Sequence, residues 1–457
     1  MNRFQLAAAA LAAGVLSGCS MMPAYQRPPA PVAGDWPAPA AATGTPAADL
    51  PWQQFFGDQR LRQLIDIALR NNRDLRVAVL NIEQARAQYD IRRADRLPTF
   101  GATVGASRAP TGDGNQTTYS AGLGLSNWEI DFFGRVASLS AAALAQYLAT
   151  EEGRKAAQIS LVASIANTWV ALVADEELLE LTRQTLATRE ESLRLVRLRF
   201  DNGVTSEIDL RQAQSLAESA RVTLAQLTRQ RALDLDALAL LLGQPVPPEL
   251  VNEVSTAALQ LPDVPAGTPS EVLVRRPDVR QAEQQLVAAN ANIGAARAAF
   301  FPRISLTAGL GAASRELSGL FEGGSWGFTA SPQLLQPIFD AGRNRAGLEA
   351  ATAARDIAVA QYERAIQVAF REVSDALAGR ATFGEQLRAQ GEVAGAEAVR
   401  YRLSELRYRN GVASYLDLLD AQRSLFAAQQ ALVETRLQQL QSQVLLYRAL
   451  GGGWTPP

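Results

Sequence analysis

Two hydrophobic periods alternate along this chain, and the alternation occurs twice. No proline falls between Gly134 and Gln244, or between Ile338 and Thr455. Residues 134–200 and 342–408 therefore read as single helices of about 67 residues, roughly 100 Å long at 1.5 Å per residue. Helices of that length point to a coiled coil or a helical tube. Each runs into an Asn-Gly-Val turn and then a shorter helix, 207–242 and 415–450. In the last helix Leu419, Phe426, Val433, Leu440 and Tyr447 recur at strict sevens, with Leu437 and Val444 as a second seam. A seven-residue apolar repeat supercoils helices left-handedly around their neighbours. Leu210, Ala213, Ala217, Ala220, Leu224 and Leu227 keep the same three-four spacing with smaller side chains. A compact soluble bundle is the alternative, but rods of this length do not fold back into one.

A period of two takes over between the helices. Phe100, Ala102, Val104 and Ala106 alternate with glycine, threonine and serine, as do Tyr119, Ala121, Leu123 and Leu125. Ile304, Leu306, Ala308, Leu310 and Ala312 repeat the pattern, followed by Trp326, Phe328 and Ala330. Segments of about nine to eleven residues, apolar on one face and small or polar on the other, suit membrane β-strands. Phe100, Tyr119, Trp128, Phe300, Phe301 and Trp326 sit at their ends, where an interfacial aromatic girdle would lie. A soluble hairpin explains either pair alone; two hairpins at corresponding places favour a barrel. Four strands cannot close one, since the smallest membrane barrels need about eight. Open edges are not tolerated in hydrocarbon, so several chains must share the barrel. Three copies supply twelve strands, whereas two would close a barrel filled by its own side chains. The expected fold is α+β: a β-barrel shared by three chains, four strands each, continued by a long α-helical barrel.

The chain is also written twice. Asn72–Arg76 recurs 204 residues on as Arg276–Arg280, and Leu97–Phe100 recurs as Phe301–Ile304. From there the offset is 208: Phe133-Gly134-Arg135 matches Ala341-Gly342-Arg343, and Asn202–Ser206 matches Asn410–Ser414. Asp209-Leu210 matches Asp417-Leu418, and Leu242-Gly243 matches Leu450-Gly451. Residues 53–245 form a first repeat with its hairpin at 99–128. Residues 270–457 form a second with its hairpin at 303–336, and 246–269 link them.

Arg3 followed by an apolar run from Leu6 to Leu16 reads as a secretion signal over residues 1–18. The run is too short to span a bilayer as a helix, and no later stretch of 18 apolar residues replaces it. Leu16-Ser17-Gly18-Cys19 resembles the lipobox of bacterial lipoproteins, which implies cleavage before Cys19 and acylation of its sulfur and new amino group. An ordinary signal peptide with an incidental cysteine is the alternative. Two or more acyl chains make a stable anchor, and Ser20 after the cysteine favours the outer membrane in that class. Eight of the 22 prolines lie from Pro23 to Pro51, which makes 19–52 a lipidated linker.

Composition then removes chemistry. There is no histidine, and Cys19 is the only cysteine. The commonest general base, thiolate metal sites and internal disulfides go with them. A net charge of −2 suggests no nucleic acid. Gly323-Gly324-Ser325-Trp326-Gly327 fits the Gly-x-Ser-x-Gly hydrolase pattern, but that chemistry needs a base beside the serine and the chain has no histidine; a strand-and-turn reading suffices. No phosphate-cradling loop is present. No enzyme, cofactor or metal is expected.

Three residue groups remain. Ser206 with Asp209 and Ser414 with Asp417 fit the capping box. Asp420 has no acidic counterpart, because Gln212 stands in its place. Asp417 and Asp420 lie three apart on one helical face, so threefold symmetry would gather six carboxylates into a cation-attracting constriction. Gly203-Val204 and Gly411-Val412 are exposed pairs at the far ends of the rods.

At this point the chain resembles the TolC-type outer-membrane factors, in their OprM-like lipoprotein branch. The resemblance rests on Arg407-Tyr408-Arg409-Asn410-Gly411-Val412, on Tyr415 through Ser424, and on the closing Ala449-Leu450-Gly451-Gly452-Gly453-Trp454. It implies a homotrimer in outer-membrane lipid, reaching into the periplasm, that docks to a periplasmic adaptor protein and serves an inner-membrane efflux transporter. The two Gly-Val tips are then the docking ends. The family's helix-end tyrosine falls on Tyr408, which joins Asp417 and Asp420 as an aperture residue. Ala413 stands where some members carry an arginine. The expected function is a passive conduit for drugs and toxic compounds. Protein secretion and a coiled-coil spacer lipoprotein are the alternatives; a spacer has no need of alternating hairpins.

Overall fold

A computed structural model describes residues 20–37, 45–112, 114–251, 256 and 259–454; Cys19 lies outside them. The main helices are α1 (Gln59–Asn71), α2 (Arg73–Ala94), α3 (Arg135–Asp201) and α4 (Glu207–Leu242), then α5 (Pro269–Arg275), α6 (Pro277–Ala298), α7 (Arg343–Arg409) and α8 (Tyr415–Ala449). Strands β1 (Phe100–Thr111) and β2 (Gly114–Ile130) precede α3, while β3 (Arg303–Ser314) and β4 (Trp326–Leu335) precede α7. Both long helices, α3 and α7, run 67 residues. The fold is α+β.

The chain divides into two compact units. One holds the residues up to Ala30 with Leu80–Glu152 and Arg280–Ala365; the other holds Pro31–Val79, Gly153–Val279 and Ile366–Pro457.

In the first unit the four strands form one antiparallel sheet in the order β1-β2-β3-β4. Directly opposed residues share a face, so the register sorts the side chains. Ala102, Leu123, Leu310 and Phe328 form one row, and Val104, Ala121, Ala312 and Trp326 the next. The intervening rows are Gly101-Gly124-Gly309-Thr329 and Thr103-Gly122-Gly311-Gly327. One face is therefore aliphatic and aromatic, the other glycine, threonine and serine. On the apolar face Val104 is 85% exposed and Phe328 71%. On the small face the β2 and β3 backbones close in, and a Cβ at Gly122 would stand 2.8 Å from the Gly311 Cα. The periodicity predicts the two faces but not the break in the β2–β3 ladder between Leu125 and Trp128. There Asn127 takes a left-handed φ of 52°, the geometry of a β-bulge.

The start of the proline-rich segment, Met22 to Arg27, is bound to this unit along α6. Arg27 forks onto Glu283 at 2.7 and 2.8 Å, Asn290 donates to the Pro23 carbonyl at 2.8 Å, and Met22 lies against Gly294. A side chain at 294 would collide with the Met22 backbone.

The second unit holds the main core. Trp52, Phe55, Phe56, Leu64, Ile65, Ile165, Trp169, Leu238, Leu242 and Tyr447 are all but fully buried in it. Tyr447 stacks on Phe55 at 3.9 Å and donates to the Leu50 carbonyl at 2.6 Å. The sevens of α8 are buried throughout: Leu419, Phe426, Val433, Leu440 and Tyr447. Sequence reading expects no helix apolar enough to cross a membrane, yet α3 contains a window of mean hydropathy 1.6. More than half of that window is buried, and α3 supplies Ile165, Ala166, Trp169 and Val173 to the core, so its apolarity has a packing explanation.

Candidate aperture and docking tips

The turns that end α3 and α7 are built twice from the same parts, both in the second unit. At the first, Gly203 N–H donates to the Phe200 carbonyl (2.9 Å) and Val204 N–H to that of Arg199 (2.8 Å). At the second, Gly411 N–H donates to Tyr408 (3.0 Å) and Val412 N–H to Arg407 (2.9 Å). These are paired Schellman closures, which need a left-handed residue after the helix. Gly203 and Gly411 supply it with φ of 72° and 73°. Asn202 and Asn410 each send their side-chain amide back four residues, at 2.7 Å. The next helix then starts on a complete capping box, Ser206 with Asp209 and Ser414 with Asp417, each cap contributing about 1 kcal/mol. The Thr205 hydroxyl adds a 2.7 Å bond to Asp209; it and Ser206 hold that carboxyl below its ordinary range. Ala413 supplies no such bond to Asp417.

With the backbone satisfied locally, the apolar side chains at the tips are left over. Val204 is 72% exposed and Val412 66%. Leu195, Leu198 and Ile208 lie exposed around the first tip, and their counterparts Leu403, Leu406 and Leu416 around the second. Each repeat thus presents the same small apolar patch.

Just behind the tips a second, smaller core joins the repeats. Val196, Leu210, Ala213, Tyr415, Leu418 and Leu419 are buried in it, with Phe200, Tyr401 and Tyr408 packed against them. Tyr408 lies 5.4 Å from the Tyr415 ring and accepts a 2.7 Å hydrogen bond from Arg199 of the other repeat. Asp420 forms an ion pair with Arg400 of α7, which also bonds Glu397 at 3.1 Å and Ser424 at 3.3 Å. The Asp417 and Asp420 carboxylates therefore take different partners: Asp417 turns back into its own cap, and Asp420 reaches across to α7. Leu416, Asp417, Asp420 and Arg423 nonetheless form one exposed stripe on α8. Sequence reasoning missed Arg199 and Arg400. Each lies on a different helix from its partner, and nothing in local spacing marks it.

One further cation sits nearby. Arg189 of α3 is 4% exposed, donates to the Leu216 carbonyl at 3.1 Å, and covers the Phe426 ring at 5.0 Å. Burial, then Arg423, lowers its pKa.

Comparison with known proteins gives one answer. The profile of the family described as "Outer membrane efflux protein" matches residues 64–244 and 268–452. The toluene efflux pump outer membrane protein TtgC of Pseudomonas putida is 50% identical over 97% of this chain and 95% of its own length. The outer membrane protein OprJ of Pseudomonas aeruginosa is 46% identical over 98% and 95%. Among solved structures, the open state of the Neisseria gonorrhoeae MtrE outer membrane channel superposes with a TM-score of 0.89 at 40% identity, covering 95% of this chain and 99% of that one. The structure of CusC gives 0.86 at 38% identity, covering 95% and 100%.

Proposed function

This chain belongs to the outer membrane efflux protein family, and we propose that three copies of it form the outer-membrane channel of a tripartite efflux pump. One observation carries the reading: a four-stranded sheet with one apolar face, one glycine-rich face and two unpaired edges. From Ile304 to Ser314, β3 runs about 33 Å, or about 25 Å along the normal at a tilt near 40°. That matches the apolar band of a membrane barrel. Small side chains on the other face leave the interior open to solute. Three sheets joined edge to edge remove every unpaired strand, as hydrocarbon requires. The helices then continue the conduit into the periplasm. The protein carries no catalytic chemistry and leaves substrate choice to an inner-membrane transporter reached through a periplasmic adaptor.

The relatives are named for toluene, solvent and antibiotic efflux, so amphipathic and apolar toxicants are the proposed cargo. Acyl chains on Cys19 add a second attachment to the outer membrane. The Val204 and Val412 patches are the adaptor-docking ends. Asp417, Asp420 and Tyr408 lie at the periplasmic aperture, with Arg400 and Arg199 holding the latter two within the protomer.

Planar-bilayer recording of the purified protein, with sedimentation in detergent, tests this. Trimers that conduct ions are the expected result. A non-conducting monomer overturns it.

A further inference from the structure

The two repeats make one contact inside the chain whose mirror-mate the chain does not make. The exit of the first repeat packs on the entry of the second: Ile130 pairs with Ile304, and Phe133 stacks on Phe301 at 4.8 Å. The corresponding contact would set the exit of the second repeat on the entry of the first. Its residues stand in solvent instead. Ile338 is 96% exposed, Phe339 90%, Phe100 74% and Leu97 68%, and β1 and β4 are the two edges of the sheet.

We propose that β4 of one protomer pairs with β1 of the next in a register set by the internal repeat, Leu334 opposite Val104 and Ile338 opposite Phe100. This rests on the trimeric-barrel reading and adds to it which residues meet at the seam. The register follows from two equivalences. Phe100 corresponds to Ile304, and their hairpin partners are Leu125 and Leu334, so Leu125 and Leu334 are equivalent positions. Leu125 faces Ala308 across the inter-repeat ladder, and Ala308 corresponds to Val104. Leu334 therefore faces Val104 of the neighbour. Beyond the strand, Ile130 and Ile338 are equivalent through the shared Gly-Arg that follows, so the Ile130–Ile304 pair maps onto Ile338 and Phe100.

The two derived pairs lie in one unbroken register. The β2–β3 ladder needs its bulge at Asn127 because β2 carries one residue more than β4 at that level; the seam needs none. Chemistry agrees with the assignment. Both pairs place apolar side chains on the apolar face, and Ile338 and Phe100, among the described residues the most exposed aliphatic and one of the most exposed rings, cover each other. A slip by one residue would set Leu334 against the glycine-threonine face.

Paired cysteines test this in the intact trimer. Opposed residues hold their Cβ atoms about 4.5–5.5 Å apart, against roughly 7–8 Å for a neighbour two residues away, so disulfides discriminate registers. Val104→Cys with Leu334→Cys, and separately Phe100→Cys with Ile338→Cys, should convert most of the protein to covalent trimer on oxidation, while the single variants stay monomeric in denaturing gels. If trimers sediment normally but Leu334→Cys cross-links to Ala102→Cys or Ala106→Cys instead, the register is wrong and the shared barrel stands. If the chains do not assemble into trimers at all, both fall. The two pairs check each other where one impairs folding.

Discussion

Replacing Gly311 by alanine adds one methyl group, and the sheet has no room for it. The new Cβ would stand 2.6 Å from the Ala121 carbonyl oxygen and 2.8 Å from the Gly122 Cα. Both are backbone atoms, so no side chain can swing aside. Relief requires β2 and β3 to part by about 0.6–0.8 Å at the tightest point of the ladder. Overpacking of this kind costs about 1–3 kcal/mol, and weakening one ladder bond adds about 1 kcal/mol. A loss of about 2–4 kcal/mol per chain is roughly a 30- to 700-fold drop in the folded ratio at 1.4 kcal/mol per decade. Gly327 lies in the same row and on the same face, but an added Cβ there meets nothing within 4 Å. Heating purified trimers in mild detergent and following their dissociation on gels should show Gly311→Ala falling apart well below the native protein and Gly327→Ala close to it. Equal midpoints for the two variants would refute the close-approach argument.

Four further outcomes follow from the same structure. Asp420→Ala should weaken cation preference and periplasmic block by multivalent cations in single-channel records; unchanged selectivity in the Asp417→Ala, Asp420→Ala double variant would remove both acids from the aperture. Val204→Asp or Val412→Asp should abolish drug resistance at normal trimer level, and full resistance in both would move docking elsewhere. Cys19→Ala should end labelling by radioactive fatty acid, a result that persistent label would contradict. Burial, then Asp234, pushes the Asp175 carboxyl up to about 7, so the folded form binds a proton that the unfolded chain releases near pH 4. Stability should therefore fall as pH rises from about 4 through 7. Asp175→Asn should flatten that part of the melting-temperature profile, and an unaltered profile would rule the carboxyl out.

Much of the fold was readable because it rests on local periods. The sevens of α8, the alternation in the strands and the capping boxes at Ser206 and Ser414 each follow from residues within a turn or two of one another. What stayed hidden depends on which elements become neighbours. Asp420 stands out in the sequence as an acid without a counterpart in the first repeat, but nothing nearby announces Arg400. Tyr408 gave no sign of Arg199, more than 200 residues earlier. The approach of Gly122 to Gly311 was masked by the many other glycines in the strands. Their compositional signal is the same, and only the ladder between repeats singles out the two that touch.

The helix-end tips carry a consequence beyond docking. Both turns are closed by backbone bonds within six residues, by an asparagine amide reaching back one helical turn, and by a serine–aspartate cap on the next helix. The side chains of Val204 and Val412 have no part in holding their turns closed, which take only the two backbone N–H groups. Selection can therefore rewrite those two positions, and the leucines beside them, without taxing the fold. A lineage that acquires a new inner-membrane partner needs only to repaint these patches, and the conduit behind them is inherited intact.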